Sequence, residues 1–160
     1  MSEFNLAYVQ KARVPHKLLR TTIADIPMFE DAFKRFMEQY SAYNIVLVEG
    51  EISPYKDMFL VLMLKWFLQQ NNKLIANYGY TSDTVDLMVI PSIEAMFNKE
   101  IAQSIPRIAE HFNQKRYLIV DVPSVEYFQS LVGKELFKYF SYSMGVITLD
   151  CKQTTTIKEI

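Results

Sequence analysis

Two kinds of apolar pattern alternate along the chain. Ile45-Val46-Leu47-Val48, Val85 to Ile90, Arg116 to Val122 and Gly145 to Asp150 are short, nearly unbroken aliphatic runs. Their length and apolar content predict strands, the first three buried in the core and Gly145 to Asp150 a last strand. Between them the spacing turns helical. Asp25-Ile26-Pro27 supplies a capping carboxylate and a proline suited to a first turn, and Phe29, Phe33, Phe36, Met37 and Tyr40 then recur at helical intervals. This predicts a helix over about 27–41. From Asp57 to Gln70 the chain is apolar almost all round, which predicts a helix enclosed on several sides. Pro91-Ser92 opens a third helical stretch through Gln114, with Pro106 expected to kink or split it. Pro123-Ser124 opens a fourth, through about Tyr142. The polar and aromatic stretch Lys73 to Asp83, with Gly79 inside it, reads as an extended excursion.

Strand and helix in strict alternation predict an α/β fold, a parallel sheet flanked by helices in three layers, with binding chemistry at the carboxyl ends of the strands. At 160 residues the chain has room for one such domain. Half the residues are hydrophobic and 22% are charged, enough apolar surface to offset the entropy of ordering. The aromatic residues fall mostly at helical core positions, which favours packing over a stacking platform for bases. A net charge of −1 gives no global attraction to a phosphate backbone, so a DNA-coating role is disfavoured and any nucleic-acid contact should be weak or indirect. The local exception is residues 1–20, where Lys11, Arg13, Lys17 and Arg20 stand against Glu3. This segment reads as a basic amino-terminal arm ahead of a single domain over 21–160, either solvated or reaching a groove.

The single cysteine, Cys151, excludes an internal disulfide and fits a reducing compartment, so the cytoplasm is expected. Its neighbour Asp150 opposes thiolate formation, which makes it an inert thiol. The longest apolar run, Met58 to Leu64, falls far short of the roughly 20 residues that cross a bilayer, and the amino terminus lacks a secretory core. His16 and His111 sit in no metal-ligand spacing, so no metal site is expected.

The segment with most chemical content is Gly50 to Asp57, GEISPYKD, between a buried strand and a buried helix. A phosphate-binding loop, G-x-x-x-x-G-K-[ST], uses glycines so that backbone N–H groups can surround phosphates, a lysine for the terminal phosphates and a hydroxyl for Mg²⁺. Gly50 and Lys56 keep that spacing. Ser53 and Tyr55 stand where glycines would be, and Asp57 replaces the hydroxyl with a negative charge. Asp121 ends the strand RYLIVDV, where nucleotide hydrolases place the Mg²⁺ carboxylate, but the following residue is Val122 rather than a second acid that could activate water. The residues therefore predict a degenerate nucleotide site made of Gly50, Ser53, Tyr55, Lys56, Asp57, Asp121 and Val122, without catalysis and without a bound cofactor. The alternatives are an unrelated strand–helix turn, with Asp121 a strand-end acid bonding nearby backbone, and ATP with Mg²⁺ held weakly by Lys56 and Asp121.

From Val14-Pro15 and LLRTTIADI, through NIVLVEG and the altered loop, to LMVIPSIEAMF and RYLIVDVPSVEYFQSLVGKELFKYFSYSM, residues 14 to 150 resemble the AAA+ bacterial replicative-helicase loaders. Asp121, Glu126, Ser130, Val132, Glu135, Phe137, Tyr142 and Met144 fall where the loaders carry similar residues. The resemblance implies a P-loop NTPase-like, AAA+-like core. The departures, Tyr55, Asp57, Val122 and Asp150 near the polar sensor position, lie at the chemistry. The sequence also stops at Ile160, ahead of the final strand, arginine finger and carboxyl-terminal sensor helices of an AAA+ ATPase. What the resemblance implies is a truncated pseudo-ATPase that binds the replicative helicase, its loader or a copy of itself, and regulates DNA replication. A weak ATPase and a single-stranded DNA adaptor, using the basic arm and exposed tyrosines, are the competing expectations.

Overall fold

A computed structural model describes residues 6–112 and 116–150. The order of elements is α1 (Leu6–Lys11), α2 (Glu30–Glu38), β1 (Ile45–Glu49), α3 (Pro54–Gln70), β2 (Ala76–Tyr78), β3 (Leu87–Ile90), α4 (Ser92–Phe97), α5 (Lys99–Phe112), β4 (Tyr117–Val122), α6 (Val125–Val132), α7 (Lys134–Phe140) and β5 (Met144–Thr148). The five strands form one parallel sheet in the order β2-β3-β4-β1-β5. Each of the four predicted strands is present, with ends shifted by a few residues. The fifth, β2, forms inside the stretch read from sequence only as an extended excursion, because Ala76, Asn77 and Tyr78 pair with Leu87, Met88 and Val89.

Alternation along the strands sorts the core into two layers. Val46 and Val48 of β1, with Ile119 and Ile147, face the layer of α1, α2 and α3. Ile45 and Leu47, with Leu118, Val120 and Val122, face α4, α5, α6 and α7. The first layer is aromatic at its centre. The ring of Phe36, fully buried, meets Trp66 at 5.5 Å and Phe67 at 5.7 Å, while Phe59 takes Phe29 and Phe33 edge-on. Edge-on and tilted pairs of this kind each add about 0.5–1.5 kcal/mol beyond burial. No stripe singles out one side of α3, and ten of its residues are buried, as its all-round apolar sequence requires.

The helices differ from the sequence expectation at three breaks. The helix expected over about 27–41 is regular only over Glu30–Glu38, with short 3₁₀ turns at Pro27–Phe29 and Tyr40–Ala42. The stretch after Pro91 divides at Asn98, whose side-chain oxygen accepts the Ile101 N–H at 3.2 Å and starts α5 afresh. Pro106 lies inside α5 without ending it. The stretch after Ser124 divides at Gly133, which takes φ +87° with open space around its α-carbon and so turns the chain from α6 into α7.

Residues 6–20 are not a detached arm. Val9, Ala12, Val14, Leu18 and Leu19 are buried in the first core layer, and the Lys65 ammonium of α3, itself buried, donates to the Thr21 carbonyl at 2.8 Å. The apolar positions between the cations bring the segment onto the sheet, leaving Lys11, Arg13, Lys17 and Arg20 exposed on its outer side. No helix among the described residues is long and apolar enough to cross a membrane.

Candidate functional site

The loop after β1 opens at Gly50, whose φ is +151°. A β-carbon there would stand 2.5 Å from the Leu149 carbonyl oxygen, so only glycine lets the chain leave β1 this close to the end of β5. Ser53 then starts α3 three residues before the predicted Asp57: its hydroxyl accepts the Tyr55 N–H at 3.1 Å, and Pro54 occupies the first turn. Tyr55, at the place of the loop's second glycine, packs half-buried against the first core layer.

The early helix start places Lys56 in the first turn, and its side chain runs inward instead of out of the loop. It is fully buried. The ammonium donates to the Gly50 carbonyl at 2.8 Å and the Val122 carbonyl at 3.2 Å, and forms an ion pair with Asp121. An ammonium has three hydrogens, and these three acceptors use them all. Asp121 is buried at the end of β4, directly beside β1 in the sheet, and its second oxygen accepts the Ser92 N–H at 3.3 Å. Burial pushes its carboxyl up from the ordinary range, and the Lys56 charge and the hydrogen bonds from Lys56 and Ser92 pull it partway back.

Of the seven residues expected to form a site, Gly50, Lys56, Asp121 and Val122 thus meet directly, Val122 through its carbonyl while its side chain lies in the second core layer. Asp57 stands beside them in the first turn of α3, where the helix dipole favours an anion and a phosphate loop would hold its ligand. Burial and the neighbouring Asp121 nevertheless raise its carboxyl above the ordinary 3.8, against the charges of Lys17 and Lys56 and a hydrogen bond from Tyr78. Burial, and then the charges of Asp57, Asp121 and Glu94, push the Tyr78 hydroxyl far upward, so it stays a donor. A carboxylate whose folded pKa exceeds its unfolded value contributes stability below the unfolded value, and this is lost as pH rises through the folded one. Asp57→Asn is therefore expected to melt a few degrees above the wild type at pH 7, with the gap closing toward pH 4. Thermal melts across that range check it, and a gap that does not depend on pH would contradict it.

Two more acids at this end of the sheet, Glu49 of β1 and Glu94 of α4, serve as internal clips. Glu49 accepts the Val125 N–H at 2.8 Å and the Thr148 hydroxyl at 2.9 Å, tying β1 to α6 and β5. Glu94 accepts the Tyr80 N–H at 2.7 Å. Ser92, Tyr78 and Glu49 were missed from sequence. Ser92 had a usable signal in its place just after a strand and a proline, whereas Tyr78 lies in a strand too short to show a pattern. His16 is exposed, and exposed His111 at the end of α5 meets the Arg116 side chain; Cys151 falls outside the described residues. Among the described residues no group of three or more histidine, cysteine or acidic side chains could hold a metal ion. No known protein-family profile matches the chain, and no curated protein matches it in sequence.

Proposed function

We propose that this chain is a non-catalytic, helicase-loader-like protein with a degenerate P-loop-like, AAA+-like core, which binds the replication machinery and regulates DNA replication. The observation that carries the non-catalytic part is the inward Lys56, whose three hydrogens are taken by Gly50, Val122 and Asp121, leaving none for a phosphate. An interior β1 that leads into the loop, with a strand-end acid on the adjacent β4, supports the P-loop-like reading. The loader part rests on the sequence resemblance across residues 14–150.

A binding protein needs an exposed anchor, and α4 offers one. Ile93 and Phe97, one helical turn apart, are 69% and 68% exposed, and Tyr139 and Tyr142 add exposed rings at and just after α7. A specific interface buries about 800 Å² on each partner, within reach of these helix faces. The partner in this reading is a replicative helicase, its loader or a second copy of the chain.

Two measurements test it. ATP with Mg²⁺ at millimolar concentration is expected to leave the amide shifts of residues 50–57 unmoved, because the Lys56 ammonium has no hydrogen left for a phosphate. Saturable shifts at residues 50–57 would instead support the weak-ATPase reading, in which Lys56 swings out from Asp121. In gel filtration with a replicative helicase or loader, a micromolar complex is expected, weakened about tenfold or more by Ile93→Ser with Phe97→Ser. Absence of any complex would overturn the replication role.

A further inference from the structure

We propose that a cleft at the amino ends of β2 and β3 binds a small phosphate monoester of about mononucleotide size. The cleft lies between the end of α1, the end of α3 and the segments leading into the two strands, at the end of the sheet opposite the Gly50 loop. Its volume is about 420 Å³, within the range of small-molecule sites.

Its lining divides by chemistry. Ala12, Leu68, Ala76 and Val85 are buried and give an apolar floor, with the half-buried ring of Tyr8 beside them. Lys11, Arg13 and Lys73 are exposed on the rim, and none of the three makes an ion pair among the described residues. Asp83 is the one acid of the lining, so the cleft carries an excess of positive charge in a chain whose net charge is −1. An apolar floor under three cations suits a ligand with a flat or aliphatic body and a dianionic head. A bounded cleft and a negative chain disfavour a long nucleic-acid backbone, which draws its affinity from many phosphate contacts.

Arg13 adds an independent observation. Its φ is +64°, which makes it the one described non-glycine residue in the left-handed region. The turn has a structural use, since it follows the Ala12 carbonyl that accepts the Tyr78 N–H at 2.7 Å on the open side of β2. Glycine or asparagine would hold that turn with less strain. An arginine there carries a guanidinium to the rim at the expense of backbone comfort, as happens where a side chain is used for binding.

The turn and the binding role can be separated. Titration of the full chain with AMP, followed by amide chemical shifts, is expected to give saturable sub-millimolar binding that moves Lys11, Arg13 and residues 73–77 and leaves residues 50–57 in place. Inorganic phosphate and adenosine, each half of the ligand, should bind more weakly. Arg13→Gly is expected to melt at or above the wild-type temperature while binding AMP at least about tenfold more weakly, and Lys73→Gln should also weaken binding. The proposal is overturned by unsaturable titration, by shifts at residues 50–57 instead, by Arg13→Gly binding as the wild type does, by inorganic phosphate binding equally well, or by a short oligothymidylate binding the same residues more tightly than AMP. The inference does not rest on the loader-like reading, because the helicase complex and ATP measurements can fail without affecting this one.

Discussion

Lys56→Met is expected to lose about 3–5 kcal/mol of stability. The substitution keeps most of the buried volume but leaves the Asp121 carboxylate without its counter-charge at the end of β4. It also strips the Gly50 and Val122 carbonyls of the donor they share. Removing one partner of a buried pair leaves the other stranded, whereas replacing both can be nearly neutral, so Lys56→Met combined with Asp121→Leu should recover part of the loss. Urea unfolding of the two variants decides the matter. A single-variant loss under about 1 kcal/mol would mean that the ammonium can find water in the loop, and the locked arrangement would not describe the protein in solution. Lys56→Ala, an obvious probe of nucleotide binding, is for the same reason a stability variant, and its effect on any partner must be read against its fold.

Gly50→Ala is expected to cost about 2–4 kcal/mol although it adds a single methyl group. Two separate penalties meet at this residue. Its φ of +151° strains any residue with a β-carbon, and that carbon would collide with a main-chain oxygen, Leu149 O at 2.5 Å, which cannot rotate away as a side chain could. Relief requires β1 and the end of β5 to part, which also displaces the carbonyl that Lys56 holds. Gly133→Ala is the internal comparison. The α-carbon there has open space, so only the backbone conformation at φ +87° opposes the change. If melts show equal losses for both variants, close packing at Gly50 is not what fixes the loop.

The α/β architecture was legible because its cause is local: β1, β3 and β4 are short apolar runs that admit few structures other than a buried strand, and β5, on the sheet edge, shows a shorter and half-exposed one. The all-round apolar α3 was legible for the same reason. β2 was not, because three residues carry too little pattern and its place depends on pairing with Leu87 to Val89. The helix breaks at Asn98 and Gly133 were likewise outweighed in the sequence by the more conspicuous Pro106, although an asparagine cap and a left-handed glycine interrupt a helix more completely than a proline that the helix can accommodate. Gly50, Lys56 and Asp121 were legible through spacing alone. The direction of the lysine was not, since spacing says where a side chain starts and not which acceptors lie nearest its end. Val122 illustrates the limit: it drew attention as a missing acid, yet it takes part through a carbonyl that any residue would supply.

The sheet order also has a consequence for how the chain comes together. β1 is made well before both of its neighbours: β4 starts at Tyr117 and β5 at Met144. During synthesis Ile45 to Val48 must wait, with its backbone groups unpaired, until Leu118–Val122 and Met144–Thr148 have emerged, while the aromatic layer of α2 and α3 can already collapse around it. The long delay makes late closure of β4 beside β1 the natural bottleneck of folding. The contact between Lys56 and Asp121, which forms only at that step, then acts as a latch on the closed sheet.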